Sequence, residues 1–120
     1  MSARIIDGAA LALVKKYIDA KKPVVGIRTA SHGFQNWLAM DKEVFGGDYK
    51  NHNGANVVCE VKRVEKRKEH PVLKGIVDFQ SNGSLYKNPN IAADAVVLLT
   101  GSIPSATEPE IGRASCRERV

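Results

Sequence analysis

No stretch of this 120-residue chain approaches the roughly 20 consecutive apolar residues that cross a bilayer, and its start lacks the basic-then-apolar order of a signal peptide. The chain therefore reads as soluble, with no membrane partner and with its compartment left open. Glycine-rich signatures are missing too: there is no G-x-S-x-G elbow, no phosphate loop and no G-x-G-x-x-G. A catalytic serine or cysteine and a nucleotide cofactor are not indicated. Neither H-E-x-x-H nor a C-x-x-C pair occurs, so no zinc signature is met. Internal repeats and low-complexity segments are absent. Cysteine is scarce, with only Cys59 and Cys116, and Cys59 lies among Val57, Val58 and Val61, where a buried structural thiol is expected.

What is present is the composition of one ordinary globular domain, 43% hydrophobic and 26% charged. The net charge of +5 invites a nucleic-acid reading. Its distribution argues against one, because in Glu60–Glu69 the bases alternate with acids, as on a solvated face. No nucleic-acid partner is expected. Part of the charge comes from the last residues. Ile111–Val120 reads IGRASCRERV, without apolar period or turn logic, and resembles the in-frame translation of a sequencing adapter. Residues 110–120 are accordingly read as a non-native tail. The adapter-like stretch holds three arginines and one glutamate, so the charge without it is +3.

The stretch around which the rest is organised is Pro23–Phe34, PVVGIRTASHGF. Val24, Val25 and Ile27 suit a strand covered on both faces, Gly26 suits close approach by another backbone, and the run ends in Arg28, Thr29, Ser31 and His32. That pattern predicts a buried parallel strand delivering polar groups to the rim of an α/β sheet, where ligands bind. An ordinary loop capping the next helix stands beside this reading. Before it, residues 3–20 place Ile6, Ala10, Leu13, Val14, Tyr17 and Ile18 at helical spacing, ended by Pro23. Helix, link and apolar strand make half of a βαβ unit, which implies a strand ahead of Met1. After the central turn, 34–45 fits a short helix that unwinds at Gly46-Gly47, followed by a long polar loop of the binding or lid kind. Residues 56–63 read as a strand, 70–76 as a single helical turn, 77–86 as a strand or a hairpin turning at Asn82-Gly83, and 95–100 as a second buried strand.

All three histidines lie beside turn signals. A site of His32 and His52 with Asp48 is chemically reasonable for a base or a divalent metal, and loop hydrogen bonding explains the same residues without chemistry. His70, before Pro71, is read as structural. Arg28 follows an apolar run and needs an anionic partner or a polar cleft. It binds a carboxylate, orients a substrate hydroxyl, or pairs with Asp48 or Asp41.

The stretches KPVVGIRTASHGF, FGGDYKNHNG, HPVLKGI, GSLYKN and VLLTGSIPSATEP, in this order across residues 1–109, resemble the ThuA-like (trehalose utilisation) family of the class I glutamine amidotransferase-like superfamily. The resemblance implies a flavodoxin-like three-layer sandwich with a mostly parallel sheet, truncated at both ends, with residues 23–29 as its central strand. The amidotransferase cysteine would fall where Arg28 stands, so glutamine hydrolysis is not implied. It implies instead action on glycosides or keto-glycosides in carbohydrate catabolism, some members using a bound metal. On this resemblance His32 and Arg28 are the catalytic candidates, Thr29, Ser31, Asp48 and Tyr49 the substrate-binding ones, and His52 a metal ligand. The family's amino-terminal strands and a late Gly-His motif have no counterpart here, so the chain is expected to be inactive by itself. The alternative is a non-catalytic sugar- or protein-binding domain of a larger, exported protein.

Overall fold

The computed structural model describes residues 5–54 and 56–104, and the backbone of 112–117. The first element is an α-helix, α1 (Gly8–Asp19), started by Asp7, whose carboxylate accepts from the Ala10 N–H at 2.7 Å. Its start is tied to the next layer by a reciprocal pair. Asn36 Nδ2 donates to the Ile6 carbonyl at 2.6 Å, and the Ile6 N–H reaches Asn36 Oδ1 at 3.4 Å. Ile18 on its inner face packs with Met40 and Val44, flanked by Val14, Val24, Phe34, Trp37 and Phe45. The 34–45 stretch expected to be a short helix is instead a series of turns closing in a π-helical turn, Asp41–Phe45, which stops at Gly46 in the left-handed conformation (φ 71°).

The six strands among the described residues follow. β1 (Asn51–His52) pairs antiparallel with β4 (Tyr86–Lys87). β2 (Cys59–Arg63), β3 (Phe79–Ser81), β5 (Ala95–Ser102) and β6 (Gly112–Arg117) form a second sheet in the order β3-β2-β5-β6, every pairing antiparallel. β6 falls in the stretch set aside above as a tail, and its backbone runs along β5, with an irregularity between Val97 and Leu99. Among the described residues no helix is long and apolar enough to cross a membrane.

This architecture overturns the flavodoxin-like expectation of a mostly parallel sheet. Parallel neighbours need a crossover of a dozen or more residues, usually a helix, between successive strands. Here α1 precedes every described strand. The link from β2 to β3 holds only two single 3₁₀ turns, Glu65–Arg67 and Pro71–Leu73, so the chain returns antiparallel. The second of these is the helical turn expected at 70–76. It is capped by His70, whose Nδ1 accepts from the Val72 N–H at 3.3 Å. The 77–86 region does not close on itself as a hairpin: β3 and β4 belong to different sheets. The strands expected at 56–63 and 95–100 are present, as β2 and the longer β5.

The central strand is also corrected. Residues 22–27 form no strand and pair with none among the described residues. Val24 packs on the α1 cluster, whereas Val25 and Ile27 are 87% and 76% exposed. β-branched residues suit a strand only when neighbours supply the ladder and the cover. Gly26 does serve close approach, of a ring rather than a backbone: a Cβ there would stand 2.7 Å from Phe45 Cε1.

Among the described residues the core cluster is the one at α1; Cys59 in β2, Leu98 in β5, and Leu73 and Ile103 outside the strands are also buried. Among the described residues no side chain is less than 2% exposed.

Candidate functional site

Between the turns after α1 and the second sheet lies an open cavity of about 550 Å³, within the span of about 300–1,000 Å³ usual for small-molecule sites. One face of the second sheet forms its floor. In the antiparallel register Cys59 stands opposite Ser81, and Val61 opposite both Phe79 and Gly101. Paired residues share a face, and all five of these line the cavity, joined by Leu99 two residues from Gly101. The opposite wall comes from the turns after α1: Gly26, Arg28, Ala30 and Ser31, then Asp41, Phe45 and Gly47.

Arg28 stands where the chain changes direction. Ile27 is extended (φ −115°, ψ 123°), Arg28 is left-handed (φ 48°), and a 3₁₀ turn then carries the chain to His32. A non-glycine residue in that region costs about 1–2 kcal/mol. The exposed guanidinium sits over the Tyr86 ring, Cζ 5.3 Å from the centroid, in cation–π geometry. Neither Asp48 nor Asp41 pairs with it. Among the described residues no carboxylate forms an ion pair with Arg28.

The Ser31 hydroxyl donates to the Arg28 carbonyl at 3.4 Å and lies 2.9 Å from His32 Nδ1. His32 stacks on Tyr49, centroids 4.4 Å apart and planes 13° from parallel. Tyr49 in turn tilts against Tyr86 at 4.7 Å, and its hydroxyl lies 2.9 Å from His52 Nδ1. Burial, and then the neighbouring Tyr86 phenol, pushes the Tyr49 phenol above its ordinary value. Tyr86 is thus the hub. Its ring is 6.1 Å from that of His32 and 6.0 Å from that of His52, and it carries the Arg28 cation. The β1–β4 pairing, which sets His52 opposite Tyr86, holds it there.

No family model, no curated protein and no solved structure matches this chain. The chemistry of the site therefore rests on its own residues.

Of the residues expected from the sequence, Arg28 and Ser31 line the cavity. His32, Tyr49 and His52 join the aromatic cluster around Tyr86 beside it. Thr29 is not among the lining residues. Asp48 faces elsewhere: it pairs with Lys50 at 2.7 Å and accepts from Asn90 Nδ2 at 2.8 Å. Those two contacts, Lys50 first, hold its carboxyl below the ordinary range. The divalent-metal set of His32, His52 and Asp48 is not gathered, and among the described residues no three His, Cys, Asp or Glu side chains stand together as ligands.

Two contributors escaped the sequence reading. Tyr86 looked like the end of a strand, and only the pairing of β4 with β1 brings it to His52. Asp41, expected only as an ion-pair partner of Arg28, takes a different role. It is buried, and its Oδ2 accepts the Tyr49 N–H at 2.8 Å. Gly47 leaves room for that carboxylate, because a Cβ at this position would collide with Asp41 Oδ1.

Proposed function

We propose that this chain binds a small carbohydrate in the cavity between the Arg28 turn and the sheet. The observation that carries the reading is the make-up of the lining. Tyr86, Phe45 and Phe79 offer apolar surface, while Arg28, Ser31, Ser81, Ser84, Asn88 and Thr100 contribute polar groups. A sugar ring presents apolar C–H faces and a polar hydroxyl edge, and so needs both kinds of surface in one concave site. The ThuA-like resemblance points to the same ligand class through glycosides and keto-glycosides.

Binding is favoured over catalysis as the role of this chain. His32, the proposed acid/base, is stacked on Tyr49 and engaged with Ser31, and it is not among the residues lining the cavity. Arg28 then acts as an orienting group. The test is calorimetric titration with glucose, methyl glucosides and 3-keto-glucosides. Saturable binding is expected, weakened about tenfold by Tyr86→Ala through loss of roughly 1–1.5 kcal/mol of ring contact. Absence of binding to every sugar tried, by a folded protein, would sink the proposal.

A further inference from the structure

We infer that the ligand carries a single carboxylate, as in a uronate or an aldonate, and that Arg28 is the group that selects it. The inference rests on the carbohydrate reading above and adds a charge to it.

Three observations converge on Arg28. It is the one cation among the described residues lining the cavity, and no described carboxylate forms an ion pair with it. Its backbone is left-handed although it is not glycine, and strain of this kind persists where the surrounding structure holds a residue for a purpose. The ring of Tyr86 lies under the guanidinium, 5.3 Å from Cζ to the centroid, at the wall of the cavity. A planar fork of N–H groups matches the two oxygens of a carboxylate.

The acid in the same lining argues for one negative charge rather than two. Asp41 is buried, and one of its oxygens is taken by the Tyr49 N–H at 2.8 Å. A phosphate monoester carries about −1.5 to −2 at neutral pH. It would bring more charge than Arg28 offsets into a cavity that already holds a carboxylate. A monoanion adds less charge of that sign than a phosphate does, so beside Arg28 and Asp41 it is the less repelled ligand. The remaining polar groups, Ser31, Ser81, Ser84, Asn88 and Thr100, are uncharged and suit hydroxyls.

The experiment titrates the full chain with four probes: glucuronate, methyl glucoside, glucose 6-phosphate and acetate. Binding is read by calorimetry and by amide shifts of cavity residues, for wild type, Arg28→Gln and Arg28→Lys. Glucuronate is expected to bind about tenfold or more tighter than methyl glucoside. That preference should vanish in Arg28→Gln, shrink in Arg28→Lys and weaken with salt. Acetate alone should bind far more weakly, since it lacks the polyol. Equal affinity for glucuronate and methyl glucoside would overturn the carboxylate inference and leave the carbohydrate reading standing. No binding of any sugar would remove both. Tighter binding of glucose 6-phosphate would replace the monoanion by a dianion, and a preference that survives in Arg28→Gln would clear Arg28 of the role. Circular dichroism of each variant guards against loss by unfolding, and in Arg28→Lys the retained charge separates fork geometry from simple attraction.

Discussion

Replacing Arg28 by glycine and, separately, by alanine isolates the cost of the left-handed turn. Both variants lose the guanidinium over Tyr86, a contact worth about 0.5–1 kcal/mol at an exposed position. They differ in backbone only. At φ 48° alanine retains the steric conflict of about 1–2 kcal/mol, and glycine relieves it. Glycine's larger freedom in the unfolded chain takes back about 0.4–1 kcal/mol. Arg28→Gly should therefore be about 1 kcal/mol more stable than Arg28→Ala, a difference in Tm of about 4 °C for a chain of this length. Wild type falls between them or level with the glycine variant. Urea unfolding followed by circular dichroism, with calorimetric melting as the second probe, measures the order directly. If the glycine variant is no more stable than the alanine variant, Arg28 is not strained, and the argument that its conformation is kept for binding fails.

Other perturbations bear on the fold. Val25→Ser should change stability by less than about 0.5 kcal/mol, because this side chain is 87% exposed, whereas Leu98→Ala in β5, 4% exposed, should cost about 2–5 kcal/mol. A large loss from Val25→Ser would restore the buried strand rejected above. Gly47→Ala forces a methyl onto the Asp41 carboxylate and should destabilise by about 1–3 kcal/mol in a denaturant titration; a neutral result would mean that the turn relaxes freely. Asp78 is held below its ordinary value of 3.8 first by the Arg63 backbone N–H and then by the Arg63 guanidinium. A depressed carboxyl stabilises fully above 3.8 and loses its contribution as pH falls through the lowered folded value. Asp78→Asn should therefore be less stable than wild type near neutrality, with the gap closing on acidification. A gap that is constant with pH would contradict the pairing.

The local elements were legible where one physical rule decided them. The period of α1 and its stop at Pro23 predict the helix, though Asp7 moves its start to Gly8. The apolar run of β5 and the alternation Cys59, Glu60, Val61, Lys62 mark strands. That same alternation carried information about sheet type. A strand with Glu60 and Lys62 on one side and Cys59 and Val61 on the other suits an antiparallel sheet with one wet face, not a parallel sheet covered on both. The apolar segment PVVGI masked this, because burial of Val25 and Ile27 depends on neighbours that no local rule supplies. The candidate site divided in the same way. Arg28, Ser31, His32, Tyr49 and His52 come from two polar turns whose composition sets them apart. Tyr86 joins them only through a pairing between residues more than thirty positions apart in the chain, which spacing does not encode.

The bare segment 23–27 has a colloidal consequence. A β-branched stretch that joins no described sheet and exposes Val25 and Ile27 is a template for strand addition, the first step of self-association. Lys21, Lys22 and Pro23 on one side and Arg28 on the other are gatekeepers, repelling a like stretch while its apolar side chains attract it. Added salt shortens the reach of that repulsion and leaves the attraction intact. Storage at low ionic strength should therefore keep the protein dispersed, and light scattering should rise with salt before it rises with temperature.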